Sequence, residues 1–150
     1  MPPLTAPQVD KVLNKIRFAR LLGMRVSRMH RDGVTLACPI RKNLLNSAGV
    51  LHGGVSASLA DAAVGVAIHR HLGSHRPIST VEMKINYFRP VSEGTVFARS
   101  HLLRMGSTLC VGRVDLTDAQ DRVLGTALVT YMLLAPSAPV SSHRQVPASK

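Results

Sequence analysis

At 150 residues the chain has room for one domain with a sizeable core, and not comfortably for two. Its 45% apolar and 18% charged residues are those of a globular protein and exclude a disordered or coiled-coil chain. Nineteen Lys and Arg against eight Asp and Glu leave a net charge of +11, which favours anionic partners: nucleic acid, an anionic membrane or a phosphorylated small molecule. With no Trp, two Tyr and three Phe, however, there is little for unpaired bases to stack on.

Residues 1–7 hold three prolines and are expected to be a frayed lead-in; they lack the basic-then-apolar order of a signal peptide. Val12, Ile16, Ala19 and Leu22 recur at helical spacing, which predicts a helix over about Pro7–Leu22, closed by Gly23. Strands follow at Met24–Arg31 and Val34–Ile40, joined at Asp32-Gly33, the dipeptide favoured by a type I′ hairpin turn. Pro39 places the end of the second strand at a sheet edge. A Gly-containing connection over 41–54 leads into a helix at Val55–Leu72, apolar or small nearly all round and therefore buried on most sides.

From Ile78 the period switches to two. Val81, Met83, Ile85 and Tyr87 share one face, and Thr80, Glu82, Lys84 and Asn86 the other, until Arg89-Pro90 ends the strand. Strands at Thr95–Met105, Ser107–Thr117 and Arg122–Leu134 complete six, the last four antiparallel by their short links. One domain over residues 1–135 is expected, of α+β class, with a Pro/Ser-rich disordered tail over 136–150. The most apolar runs, Val55–Ile68 and Val123–Ala135, fall short of the ~20 residues of a membrane span. Cys38 and Cys110 sit in apolar alternating segments and read as free thiols of a reduced, cytoplasmic protein.

Asp61 is the single charge in the apolar stretch of the long helix. A carboxylate there is costly unless it is paired, hydrogen-bonded or protonated. It reads either as a general base or nucleophile, or as a residue turned to a wet edge or neutralised by an Arg. Upstream, His52-Gly53-Gly54 opens the same helix, where unpaired N–H groups and small residues can receive an oxyanion or a thioester carbonyl. Asp61 follows Gly54 by seven residues, about 10 Å along the axis on roughly the same face. That separation suits an extended substrate or a site completed by another chain.

Asn46-Ser-Ala-Gly49-Val-Leu-His52-Gly53-Gly54, Asp61, and Val81-Glu82-Met83-Lys84-Ile85-Asn86-Tyr87 with Arg89-Pro90-Val91 closely resemble the PaaI-type hotdog-fold acyl-CoA thioesterases, as do Gly94 and the Gly106 turn. The resemblance covers about residues 16–134. It implies a long helix wrapped by a curved antiparallel sheet, in a homodimer whose sheets join, commonly paired as a dimer of dimers, with active sites at the dimer interface. Carried over by position, it implies that Asp61 activates water or attacks the thioester, that the Gly54 N–H polarises the thioester carbonyl, and that His52 supports that loop. Asn46 would position water or the carbonyl across the site. Thr80, in preference to Ser79, would supply a hydroxyl near the water. The implied substrate is an aryl- or medium/short-chain acyl-CoA, with no separate cofactor. Its phosphates call for Arg and backbone N–H donors, for which Gly53, Arg89, Arg104 and the turn Gly106-Ser107-Thr108 are the candidates. Ala57, Ala60, Val64 and Gly65 are placed to shape an acyl tunnel.

Other chemistries fit less well. His69, His71 and His75 form H-x-H-x₃-H, but helix residues two apart point away from each other, so no metal is expected. Ser56 and Ser58 lack a GxSxG setting. Neither a membrane nor nucleic acid is expected as a partner, since only the charge speaks for the latter. A non-catalytic acyl-CoA or acyl-effector binder is the alternative, and a hotdog dehydratase, which works through a catalytic His, is a further one.

Overall fold

The computed structural model describes residues 2–74 and 76–135; the expected tail over 136–150 and His75 lie outside them. In chain order the elements are α1 (Ala6–Lys15), α2 (Arg17–Leu22), β1 (Arg25–His30), β2 (Gly33–Pro39), α3 (Gly53–Leu72), β3 (Ile78–Tyr87), β4 (Thr95–Met105), β5 (Leu109–Thr117) and β6 (Val123–Leu133). The strands form one antiparallel sheet in the order β1-β2-β4-β5-β6-β3, and α3 packs chiefly on β2, β4 and β5. This is the hotdog arrangement, a long helix held in a curved sheet.

The helix expected over Pro7–Leu22 is two helices. Ile16 breaks it, with φ −81° and ψ 102°. On an unbroken helix Leu22, nine residues after Leu13, would lie half a turn away from it. The break lets Val9 and Leu13 of α1 and Ala19 and Leu22 of α2 all reach the core, and leaves Ile16 41% exposed. The lead-in is tied down before α1 begins: the Leu4 N–H donates to the Arg70 carbonyl at 3.0 Å, and Gln8 Oε1 accepts from the Thr5 N–H at 2.8 Å.

The β1–β2 hairpin also differs from expectation. His30 pairs with Gly33, so the turn is centred on Arg31-Asp32, and neither residue has the positive φ that a type I′ turn needs. Gly33 has another reason to be glycine. A Cβ there would lie 2.0 Å from the Ser100 carbonyl oxygen of β4. Beside it, Ser100 Oγ accepts from the Val34 N–H and donates to the Val34 carbonyl, each at 3.0 Å, filling in for ladder bonds.

Pro39 marks an open edge at the end of β2, as expected, and not an edge strand, since β2 itself is flanked by β1 and β4. The ladder to β1 stops at Ala37, whereas Pro39 still pairs with Thr95 of β4. The missing N–H of Pro39 therefore falls beyond the reach of β1. The short link after β3 is likewise not a hairpin. Residues 88–94 cross to β4, which lies at the far side of β5 and β6, while β3 pairs with β6. Their backbone finds partners elsewhere: the Phe88 N–H donates to Leu124, and the Val91 and Gly94 carbonyls accept from Leu51 and Ile40.

The all-round apolar character of α3 is explained by its surroundings. Leu59, Ala60, Ala63, Val64 and Ile68 are fully buried, and a Cβ at Gly112 of β5 would come within 2.8 Å of both Val64 methyl carbons. Extra residues in the ladders, Ser27, Val81, Leu103 and Leu124, bend the strands around the helix. Cys38 and Cys110 are buried free thiols, as their alternating segments indicate. Among the described residues no helix is long and apolar enough to cross a membrane.

On β4 and β5 an ionic cluster is pinned to the first hairpin. The Asp32 carboxylate meets Arg99 and, at 2.9 Å, His101 Nδ1, whose Nε2 lies 3.2 Å from Asp115. The hydrogen bond from Arg99, against some desolvation and with help from His101, holds Asp32 at about 2, below its usual 3.8. A carboxyl depressed in the folded state stabilises above its unfolded pKa and loses that contribution as pH falls through the folded one. Asp32→Asn is therefore expected to cost under about 1 kcal/mol of stability at neutral pH, because the group is nearly half exposed, and to lower the melting temperature slightly. Thermal melts of both proteins should converge as the pH drops from 4 to 2.

Candidate active site

The connection before α3 is a set of local caps. Asn46 Oδ1 accepts from the Ala48 N–H at 2.9 Å and the Val50 N–H at 3.3 Å, closing a loop in which Gly49 takes φ +75°. His52 is the N-cap of α3, and its Nδ1 accepts from the Gly54 N–H at 2.9 Å. Here the structure differs from what the resemblance implies: the Gly54 N–H is already engaged, by the ring meant to support it. The neighbouring Gly53 N–H has no acceptor among the described residues. It stands at the positive end of a 20-residue helix.

Gly53 admits a side chain that sequence reasoning did not assign. Tyr87 Oη, from the far end of β3, donates to the Gly53 carbonyl at 2.8 Å. A Cβ at Gly53 would lie 3.2 Å from the phenol oxygen, so the glycine makes room for the clamp. The only signal in the sequence is that Tyr87 closes the apolar face of its strand. Arg89 lines a cavity of about 300 Å³ with Gly53, Ser56 and Tyr87.

Two turns along α3, Asp61 is half-buried at the rim next to β3. It is neither sealed in the core nor paired with an Arg. Thr80 Oγ1 donates to Asp61 Oδ1 at 2.9 Å, and the Tyr131 phenol stands beside the same carboxylate. Strict alternation would turn Thr80 away with Glu82, Lys84 and Asn86. Instead Val81 is an extra residue between the pairs Thr80–Tyr131 and Glu82–Thr130, and Thr80 comes onto the helix side with Met83, Ile85 and Tyr87. Ser79, one step back and paired with Met132, faces the other way. Tyr131 is a second residue missed from sequence: its Oη donates to the Asp61 backbone carbonyl at 2.9 Å. Burial, and then the Asp61 charge, raise this phenol far above its usual pKa, so it stays a donor. Gly65 gives it space, a Cβ there lying 3.0 Å from the phenol oxygen.

Asp61, Thr80 and Tyr131 open on a second cavity, of about 320 Å³, whose walls include Ile16, Phe18, Met24, Ala62 and Val66. Of the residues expected to shape an acyl tunnel, Gly65 lines it, whereas Ala60 and Val64 are buried in the core. The structure thus brings Thr80 to Asp61, and Gly53 to Arg89, in two different cavities of one chain. Asn46, His52 and Gly54 stay with the helix start. Arg104, Gly106, Ser107 and Thr108 surround a third, shallower cavity of about 220 Å³ at the β4–β5 turn. His69 is buried and lies 2.9 Å from the Arg76 carbonyl, while His71 is exposed; no cluster fit to hold a metal is found among the described residues.

The sequence profile described as the thioesterase superfamily matches residues 48–124, which run from the Asn46 loop through α3 into β6. The Escherichia coli K12 protein named medium/long-chain acyl-CoA thioesterase YigI is 31% identical, over 87% of this chain and 97% of its own length. Among solved structures, a Haemophilus influenzae thioesterase superposes with TM-score 0.83 at 22% identity, covering 92% of this chain and 96% of its own. The Escherichia coli PaaI protein superposes with TM-score 0.78 at 19% identity, over 88% and 95% of the two chains. At such identities the superpositions speak for the fold.

Proposed function

The chain belongs to the thioesterase superfamily, and from that premise we propose that it hydrolyses an acyl-CoA thioester to the free acid and coenzyme A. The observation that carries this reading is the Asp61 carboxylate, oriented by Thr80 at 2.9 Å, at the mouth of an apolar cavity large enough for an acyl group. The relative named as an acyl-CoA thioesterase, matched along nearly its whole length, supports the substrate class.

In the proposed reaction the thioester carbonyl is received at the start of a long helix, by the Gly53 N–H and, once the His52 ring moves off it, by the Gly54 N–H. Asp61 drives attack, either by taking a proton from water or by attacking the carbonyl carbon itself and being regenerated by water. The carbon–sulfur bond breaks, the thiolate leaves with a proton, and the acid remains. Water is the only co-reactant, and coenzyme A enters as part of the substrate.

Asp61 and the helix start open on separate cavities of one chain, so we place the reaction between two protomers, with Asp61 of one facing the glycines of the other. The outer edge of β3 is free for such pairing and carries the exposed Val81, Tyr87 and Phe88. Arg89 and Arg104 are proposed for the coenzyme A phosphates. The test is thiol release from a panel of alkyl- and aryl-CoA esters. Saturable release above the uncatalysed rate is expected; binding of acyl-CoA with no release from any ester would replace the enzyme by the acyl-CoA binder.

A further inference from the structure

We propose that the break between α1 and α2 builds the outer wall of the acyl pocket, where Ile16 and Phe18 select an alkyl chain of medium length. This rests on Asp61 being the reaction centre.

The pocket beside Asp61 is apolar in a specific way. Four of its lining residues carry polar side-chain atoms besides Asp61, and each is committed. Ser58 Oγ donates to the Gly54 carbonyl at 2.7 Å, Thr80 to Asp61 Oδ1, Tyr131 Oη to the Asp61 carbonyl, and His69 Nε2 lies 2.9 Å from the Arg76 carbonyl. With these hydrogens spent and the Asp61 carboxylate alongside, an acyl group carrying a second carboxylate would be buried without a donor and next to a like charge, which strongly disfavours it. An alkyl chain loses nothing. At about 320 Å³ the pocket is near the lower end of ligand cavities, which favours a chain of modest length over a long one.

One wall does not come from the helix-and-sheet body at all. It comes from the N-terminal segment, through Ile16, Phe18, Ala19 and Met24. Ala19 and Met24 are buried, but Ile16 and Phe18 remain 41% and 54% exposed although they line the cavity. They are held there by the break, since Val9 and Leu13 anchor one side and Leu22 the other. A large side chain half in water and half against an empty apolar pocket gains burial when a chain fills that pocket. Chains too short to reach the wall miss this gain, and chains much longer run past it into solvent.

The experiment compares kcat/KM for butanoyl-, octanoyl-, hexadecanoyl- and hydroxyphenylacetyl-CoA in wild type, Phe18→Ala and Ile16→Ala, with melting curves for each. The expected result is a tenfold or larger preference of the wild type for octanoyl over butanoyl, reduced at least fivefold in both variants. An unchanged octanoyl-to-butanoyl ratio in folded variants overturns the proposal, and so does hydroxyphenylacetyl-CoA as the best substrate. Phe18→Leu, which keeps apolar bulk, should retain most of the preference, and Ile16→Ala decides alone if Phe18→Ala fails to fold. If the wild type releases no thiol from any ester, the enzyme reading falls. Calorimetric binding of octanoyl-CoA to Phe18→Ala and Ile16→Ala then decides the wall separately: weaker binding than wild type supports it, and unchanged binding overturns it.

Discussion

Asp61→Asn is expected to lower the rate of thioester hydrolysis by about 10²–10⁴-fold while leaving the fold intact. The substitution is nearly isosteric, and its amide oxygen can still accept from Thr80, which now lies 2.9 Å from Oδ1. The Tyr131 hydroxyl keeps its bond to the backbone carbonyl of residue 61. What disappears is the carboxylate charge, and with it the group able to take a proton from water or attack carbon. Thiol release on the best ester, with melting curves alongside, checks the prediction. Hydrolysis within a few-fold of wild type in the folded variant would remove Asp61 from the chemistry.

The largest effect on stability is expected at a position far from that carboxylate. Gly33→Ala would place a methyl carbon 2.0 Å from the Ser100 carbonyl oxygen and 2.8 Å from its carbon. Both obstacles are backbone of an interior strand, so no rotamer change can relieve the clash, and β2 must pull away from β4. That movement also strains the two Ser100 Oγ bonds to Val34. Overpacking of this kind costs about 3 kcal/mol, which for a chain of this size lowers the melting temperature by roughly 6–12 °C. Differential scanning calorimetry would read it directly. Gly49→Ala is the useful contrast, because nothing lies within 4 Å of a Cβ there and only its φ of +75° opposes the change.

Much of this molecule is legible in its sequence, and the parts that are not share a cause. The long helix and the strand from Thr95 to Met105 follow from periodicity, which is a local property. The break at Ile16 is not local: it arises because Leu13 and Leu22 must face the same core, and the sequence between them reads as a sound helix. Asp32-Gly33 looks like a hairpin turn because both residues favour one, yet the glycine answers to Ser100, 67 positions away. The link after Tyr87 is short enough for a hairpin, and only the presence of α3 and β2 sends it across the sheet.

At the site, residue types in a motif were informative and their contacts were not. Asp61, Gly53 and Thr80 were all singled out. Asn46 and His52 spend their acceptor atoms on their own loop, which a motif cannot show. Tyr87 and Tyr131 escaped because each stands in a strand where an aromatic residue needs no further explanation. They are found only by asking why Gly53 and Gly65 have no side chain.

A strand has two sides, and substitution cannot carry a residue from one to the other. In β3 it is one additional residue, Val81, that hands the Thr80 hydroxyl to the helix. A lineage of such proteins can therefore lose this hydroxyl by point mutation at position 80. It can regain it from the opposite side only through an insertion or deletion that leaves the pairing beyond Glu82 undisturbed. Alignments that forbid gaps inside strands would misplace the residue by one, and would pair Thr80 with side chains that never see a carboxylate.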